Sequence, residues 1–220
     1  MNKEELYTQA QKYQLVQEDY DGIADYYDER YNAAEEFAAQ FADFITVLTP
    51  NAVVADIGSG PGKEAQILTT VAQKVVAVDL SAIMLAKVKA KHPAIETVQA
   101  NMNQLPFPNK SFAAIWCSRA IIHIPQEDLM QTVQEFHRLL QPKGVLGLLF
   151  RTPDEDISVK EEFLPETAPQ SEGLIYYRNL YSEAYMTQVL IHAGFVIEKR
   201  EPGVSRDNEV SLYLRARSVL

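Results

Sequence analysis

Residues 53–65 read VVADIGSGPGKEA, and this stretch decides the fold. An apolar run of strand length, broken only by Asp56, ends at Ile57, and glycines follow at positions 58, 60 and 62. Bare backbone at the end of a buried strand lets a ligand approach without meeting a Cβ. The spacing then discriminates between ligands. The dinucleotide fingerprint G-x-G-x-x-G needs a glycine where Lys63 stands. The phosphate-binding loop ending in G-K-[ST] fails as well, because Gly62-Lys63 is followed by Glu64, which has no hydroxyl for magnesium. Asp56 would repel a pyrophosphate and would suit a cationic amino-acid moiety. About twenty residues on, VVAVDLS ends a second strand in Asp79, an acid suited to ribose hydroxyls. The ligand therefore carries a ribose and need carry no phosphate.

Outward from this turn the chain alternates strands and helices. The runs 52–57 and 74–80 are apolar on both faces, as in parallel strands covered on both sides. Helices fit 62–71 and 81–91, the second capped by Ser81 and stopped at His92-Pro93. Further strands are expected at 96–100, 112–118 and 145–150, and a helix at 125–140 has acids in its first turn. A last helix at 182–193 precedes strands at 195–200 and 210–215, which must run antiparallel to each other. Repeated βα units imply an α/β fold with a mostly parallel sheet. Residues 1–49 read as helical, with Ala34, Phe37, Ala38, Phe41, Phe44, Ile45 and Leu48 at helical spacing. Residues 151–181 read as a long, acidic, irregular connection.

The bulk composition narrows the partners. Thirty acids against twenty bases give 220 residues a formal charge of −10, which disfavours adhesion to nucleic acid or anionic membrane. No apolar stretch reaches spanning length and the N-terminus has no signal-peptide core, so a soluble cytoplasmic protein is expected. The single cysteine, Cys117, reads as a small buried hydrophobe inside a strand. The four histidines are scattered, and no metal site is expected.

Several motifs in order resemble one family: the class I S-adenosylmethionine-dependent methyltransferases, in particular the small-molecule type called methyltransferase domain 11. DIGSGPG resembles the family's motif I and VVAVDLS the acidic end of its second strand. ANMNQLPFPNKSFAAIWCSRAIIHIP, EFHRLLQPKGVLGLLF and YSEAYMTQVLIHAGFVI resemble its later strands and last helix. The resemblance implies one domain over 1–220: an N-terminal helical lid (1–49), a cofactor core (51–150), a substrate-side connection (151–181) and a closing helix and strand pair (182–220). It implies a Rossmann-like seven-stranded sheet of order 3-2-1-4-5-7-6, with the last strand antiparallel.

It also implies the cofactor, S-adenosylmethionine, and its product S-adenosylhomocysteine. Asp56, Gly58, Ser59 and Gly60 would face the amino-acid part, Asp79 the ribose, and Leu80 and Met84 the adenine. Asn101, in place of the usual acid, and Met102 would serve the adenine edge, and Ser118 and Arg119 would lie near the methionine portion. Tyr20 and Tyr27 are candidates to close over the cofactor. Lys143 departs from the family's glycine pair at a turn.

A methyl sulfonium is already activated, so alignment is the main task, and a general base is needed only where the acceptor must lose a proton. His123, in the loop after the fourth strand, is the candidate base; the alternative is a packing role beside Ile121, Ile122 and Ile124. The acceptor is expected to be a small molecule, with Arg119, Arg151 and Arg178 suited to an anionic one, and Tyr176, Tyr177 and Phe163 as an aromatic wall. These arginines could equally pair with neighbouring acids. Other chemistry with the same cofactor, a protein or RNA acceptor, and an inactive binding module are the alternatives.

Overall fold

The computed structural model describes residues 7–32, 38–153, 157–165, 172–204 and 210–219. The positions 34 and 37 of the expected N-terminal periodicity, and parts of the connection after the fifth strand, lie outside these residues. Three short helices, α1 (Gln9–Gly22), α2 (Ala24–Asn32) and α3 (Ala38–Thr46), precede the first strand. Then follow β1 (Val53–Ile57), α4 (Lys63–Leu68), β2 (Lys74–Asp79), α5 (Ala82–Lys91), β3 (Glu96–Gln99) and β4 (Phe112–Ser118). A single 3-10 turn (Ile121–His123) leads to α6 (Gln126–Leu139) and β5 (Leu140–Arg151). The chain closes with β6 (Val159–Pro165), β7 (Ile175–Tyr181), α7 (Glu183–His192), β8 (Phe195–Val204) and β9 (Val210–Ser218).

Seven strands form one sheet in the order β3-β2-β1-β4-β5-β9-β8. β1 pairs in parallel with β2 and with β4, whereas β9 runs antiparallel to both β5 and β8. With the β6–β7 pair set aside, this is the expected 3-2-1-4-5-7-6 order with its last strand reversed. The order turns around between β1 and β4, so their carboxyl ends flank the crevice where such sheets bind ligands.

Strand alternation builds a core on each face. Ala55, Ile57, Val76, Val78, Ile115 and Leu148 pack with Leu129, Val133 and Phe136 of α6 and Met186 and Leu190 of α7. Val54, Ala77, Ala114, Trp116 and Leu149 pack with Phe41 and Phe44 of α3 and with Leu68, Leu85 and Val88. Gly147 of β5 is a requirement of this second layer. A Cβ there would stand 2.6 Å from Phe44 and from the Trp116 ring, far inside contact distance.

The irregular connection expected at 151–181 is corrected by the structure: β6 and β7 form an antiparallel two-stranded sheet with Phe163 opposite Tyr177 and Glu162 opposite Arg178. The acids hid the strand in the sequence. In the fold they are neutralised, Glu162 by Arg178 across the pair and Glu161 by Lys12 of α1 at 2.7 Å. Glu161 also accepts from the Tyr177 hydroxyl at 2.8 Å, and Lys12 lies 5.6 Å from the centre of the Tyr177 ring. This sheet therefore docks onto α1 rather than hanging free.

Among the described residues no helix is long and apolar enough to cross a membrane. No group of three or more metal-ligating side chains is found among them either.

Candidate functional site

The strand ends at the switch point open into a cavity, with about 650 Å³ of empty space when its open mouth is counted. Its floor is the glycine turn. Gly58, Gly60 and Gly62 all have positive φ, at 72°, 51° and 89°. A Cβ on Gly58 would lie 2.1 Å from the Ala120 Cβ, so the turn and the loop after β4 can approach only through glycine.

The amides of this turn do not point at a ligand. Those of Gly58 and Ser59 both donate to the Val78 carbonyl, at 2.8 and 3.0 Å, and that of Gly62 to Ser59. The Gly60 amide donates to Asp79 Oδ2 at 2.8 Å. The glycines thus supply a smooth floor and not a cradle of donors, which excludes a phosphate clamp on physical grounds.

Asp79 is the centre of the site. While Oδ2 takes the Gly60 amide, Oδ1 takes the Ser81 amide at 2.9 Å, so one carboxylate ties the turn to the start of α5. It lines the cavity together with Leu80, Ala100, Asn101 and Met102. Burial raises its pKa against the amides of Ser81, Gly60 and Leu80, which lower it. Asp56 is fully enclosed, and its pKa is raised by burial and then by the charges of Glu64 and Asp79. Its Oδ2 has no hydrogen-bond partner among the described residues. Two buried acids in mutual repulsion favour a positively charged group close by.

The N-terminal helices are fastened to α5 at several points. Asp21 accepts from the Ser81 hydroxyl, Asp25 pairs with Lys87, and Asp28 pairs with Lys91 at 2.6 Å. Ser81 also caps α5, its oxygen accepting the Met84 amide at 3.0 Å. Tyr27 hangs over the turn, 3.6 Å from where a Gly60 Cβ would be, and stands edge-on to Tyr20. Tyr20 reaches His123: its hydroxyl lies 2.8 Å from Nε2, and Nδ1 lies 2.7 Å from the Tyr177 carbonyl. Burial lowers the His123 pKa to about 4, so the imidazole is neutral.

Of the site residues expected from sequence, the cavity brings together Tyr20, Tyr27, Gly58, Gly60, Asp79, Leu80, Asn101, Met102, Ser118, Arg119 and His123. Asp56, Ser59 and Met84 stand behind its wall, all three buried. Ser59 donates its amide to β2, and Met84 lies on the buried face of α5. Arg151, Tyr177 and Arg178 do not line the cavity either. Arg178 is held by Glu162, and the buried Tyr177 hydroxyl serves Glu161 and Asn179; its backbone carbonyl is what reaches the site. Asn101 Oδ1 accepts the Asn103 amide at 3.2 Å and keeps one lone pair for other use.

Seven lining residues went unnoticed in the sequence: Ile57, Val78, Ala100, Ala120 and Ile124, and on α1 Tyr13 and Val16. For the two on α1 the signal was present: 13, 16 and 20 fall on one face by helical spacing.

Residues 54–144 match a family described as "Methyltransferase domain". A Mycobacterium tuberculosis protein named "Probable S-adenosylmethionine-dependent methyltransferase" is 31% identical over 152 residues, 68% of this chain and 52% of that protein. The chain spans about half the length of the curated relatives it matches. Among solved structures, Burkholderia thailandensis 1,6-didemethyltoxoflavin-N1-methyltransferase, bound to S-adenosylhomocysteine, superposes with a TM-score of 0.76 at 17% identity, covering 97% of this chain and 92% of that one. The 4+2 cyclase SpnF superposes with a TM-score of 0.70 at 17% identity, over 92% and 94%. At such identities these likenesses concern the fold.

Proposed function

The chain belongs to the class I S-adenosylmethionine-dependent methyltransferases, and from that premise we propose that it transfers the methyl group of S-adenosylmethionine to a small-molecule acceptor. The observation that carries this reading is Asp79, set at the end of β2 inside the cavity and ordered by the Gly60 and Ser81 amides. Its remaining lone pairs suit the two hydroxyls of a ribose. The residues present fit the cofactor in charge as well. The orphaned Oδ2 of Asp56 and the raised pKa values of both acids favour a cation, and the spent amides of the turn offer nothing to a phosphate.

Asp79 would hold the ribose, Leu80 and Met102 the adenine faces, Asn101 its edge, and Tyr27 the lid side above Gly60. When bound, the cofactor supplies an activated methyl group. The chain's own work is alignment, which contributes on the order of 7–11 kcal/mol when acceptor and methyl are held in line. The pinned lid excludes water and strengthens the electrostatics of the acids. Lid fastening at Ser81, Lys87 and Lys91 also argues for an acceptor small enough to be enclosed, and against a protein or RNA.

A thermal-shift series with S-adenosylmethionine, S-adenosylhomocysteine and NAD tests the reading. Ligand at a hundred times its Kd should stabilise the fold by about 2.7 kcal/mol. No response to either sulfur compound, or a response to NAD alone, would sink it. Because a cyclase shares the fold, release of S-adenosylhomocysteine with time is the readout that separates methyl transfer from other uses of the cofactor.

A further inference from the structure

Asn101 follows Ala100, whose amide donates to the Asp79 carbonyl at 3.1 Å, so it stands beside Asp79 on the cavity wall. An asparagine amide can turn over and offer a ligand either its oxygen or its nitrogen, whereas a carboxylate reads the same both ways. What holds the Asn101 amide therefore decides what this wall recognises; the inference rests on the proposal that the adenine of the cofactor lies here. The Asn101 oxygen accepts the Asn103 amide at 3.2 Å. A backbone N–H can only donate, so the oxygen has to lie on that side.

The nitrogen end is held from a second direction, and the anchor is Asp128. This acid of α6 is buried, and three donors converge on it. Gln9 Nε2 meets Oδ1, while the Tyr13 hydroxyl at 2.6 Å and Asn103 Nδ2 at 3.5 Å meet Oδ2. A carboxylate can only accept, so the single hydrogen of Tyr13 is committed to it. The phenol oxygen is left as an acceptor, and it takes Asn103 Nδ2 at 3.1 Å. Burial and the Asp128 bond raise the Tyr13 pKa, while bonds from the side chains of Asn101 and Asn103 lower it. An oxygen whose hydrogen is spent can receive only the nitrogen end of Asn101. The two constraints agree on one orientation of the amide.

We propose that Asp128, acting through Tyr13 and Asn103, is a positioning residue that locks the Asn101 amide against turning over, so that the site selects a 6-amino purine over a 6-oxo purine. Adenine offers an N–H at C6 and a lone pair at N1. Hypoxanthine offers the reverse, an oxygen at C6 and an N–H at N1. An amide able to turn over serves either base with two hydrogen bonds. The locked amide keeps one oxygen lone pair for the adenine amine and one nitrogen hydrogen for the ring. Against hypoxanthine it would set lone pair against lone pair and hydrogen against hydrogen.

Asp128 also joins α1 to α6, through Gln9 and Tyr13. An anchor that did only this would support both purines alike. Discrimination between them is therefore the property that separates the positioning role from a structural one.

The test measures, by calorimetry on the full chain, the affinities for S-adenosylhomocysteine and for S-inosylhomocysteine, its 6-oxo counterpart. Wild type is expected to prefer the adenine compound by about thirtyfold or more. Asp128→Asn places an amide that can donate to Tyr13 and release its hydrogen toward Asn101; Tyr13→Phe removes the hydroxyl. Each should reduce the preference to about fivefold or less, chiefly by tighter binding of the inosine compound. Asn101→Asp should keep the preference, because a carboxylate accepts whichever way it turns, and adding Tyr13→Phe to it should leave the ratio unchanged. Equal weakening of both compounds in the single variants, an undiminished preference, or the same loss in the Asn101→Asp background would each overturn the proposal. Wild type that binds the two compounds alike would overturn it even if every variant misfolds. Wild type that binds neither is a separate result and would overturn the cofactor reading beneath it.

Discussion

Acidification offers a quantitative probe of the buried histidine. His123 has its pKa lowered from 6.5 to about 4 by burial, against a smaller raising effect of the Tyr177 carbonyl. As pH falls, the unfolded chain takes a proton at this position near 6.5 and the folded chain only near 4. The stability His123 contributes is therefore complete above pH 6.5 and drains away between the two values. The separation of 2.5 units is worth about 3 kcal/mol in full, and linkage puts the loss at about 2 kcal/mol by pH 5. Urea unfolding at pH 7.5 and pH 5, on wild type and His123→Gln, isolates the effect, because carboxylates common to both proteins cancel in the difference. Wild type should lose about 2 kcal/mol more than the variant over this interval. Equal losses would mean that His123 ionises in the folded protein near its ordinary value, and the neutral ring would have to be abandoned.

Three substitutions test other parts of the reasoning. Gly58→Ala places a Cβ 2.1 Å from that of Ala120 at a φ of 72°; strain plus overpacking should cost on the order of 3 kcal/mol in urea unfolding and should weaken S-adenosylhomocysteine binding. Lys143→Gly should do the opposite: Lys143 sits at φ 63°, so relief of left-handed strain, less the entropy of a new glycine, should stabilise by up to about 1 kcal/mol and leave cofactor binding unchanged. Asp79→Ala removes the acceptor of two amides and should cost about 2 kcal/mol of stability and at least tenfold in S-adenosylhomocysteine affinity by calorimetry; retained affinity would remove Asp79 as the ribose partner.

The strands, the glycine turn and the placement of Asp79 were legible because they rest on local chemistry, whereas the strand order followed from the family resemblance. A buried strand reads as an apolar run, and the spacing of glycine against acid excludes phosphate wherever the chain later goes. The role of the glycines was legible only in part. That they permit a close approach follows from the missing Cβ, but that their amides are spent on Val78 and Asp79 depends on where β2 lies. The β6–β7 pair was not legible, since Glu161 and Glu162 break the apolar alternation and their partners, Lys12 and Arg178, come from other segments. The same separation explains why Arg178 was expected at the acceptor and is found neutralised across a strand pair.

What the sequence determined by itself is the glycine turn and Asp79, since 53–65 and Asp79 are two short segments whose geometry is set by adjacent parallel strands. What only the tertiary structure decided is the meeting of Tyr20, His123 and the Tyr177 carbonyl at the cavity wall. Tyr20 and His123 stand 103 positions apart, and the carbonyl that fixes the imidazole lies 54 positions further on. No local pattern records which of the three donates. That direction follows from one physical fact, a carbonyl's inability to donate, and it acts only once packing has brought the three groups within hydrogen-bond distance.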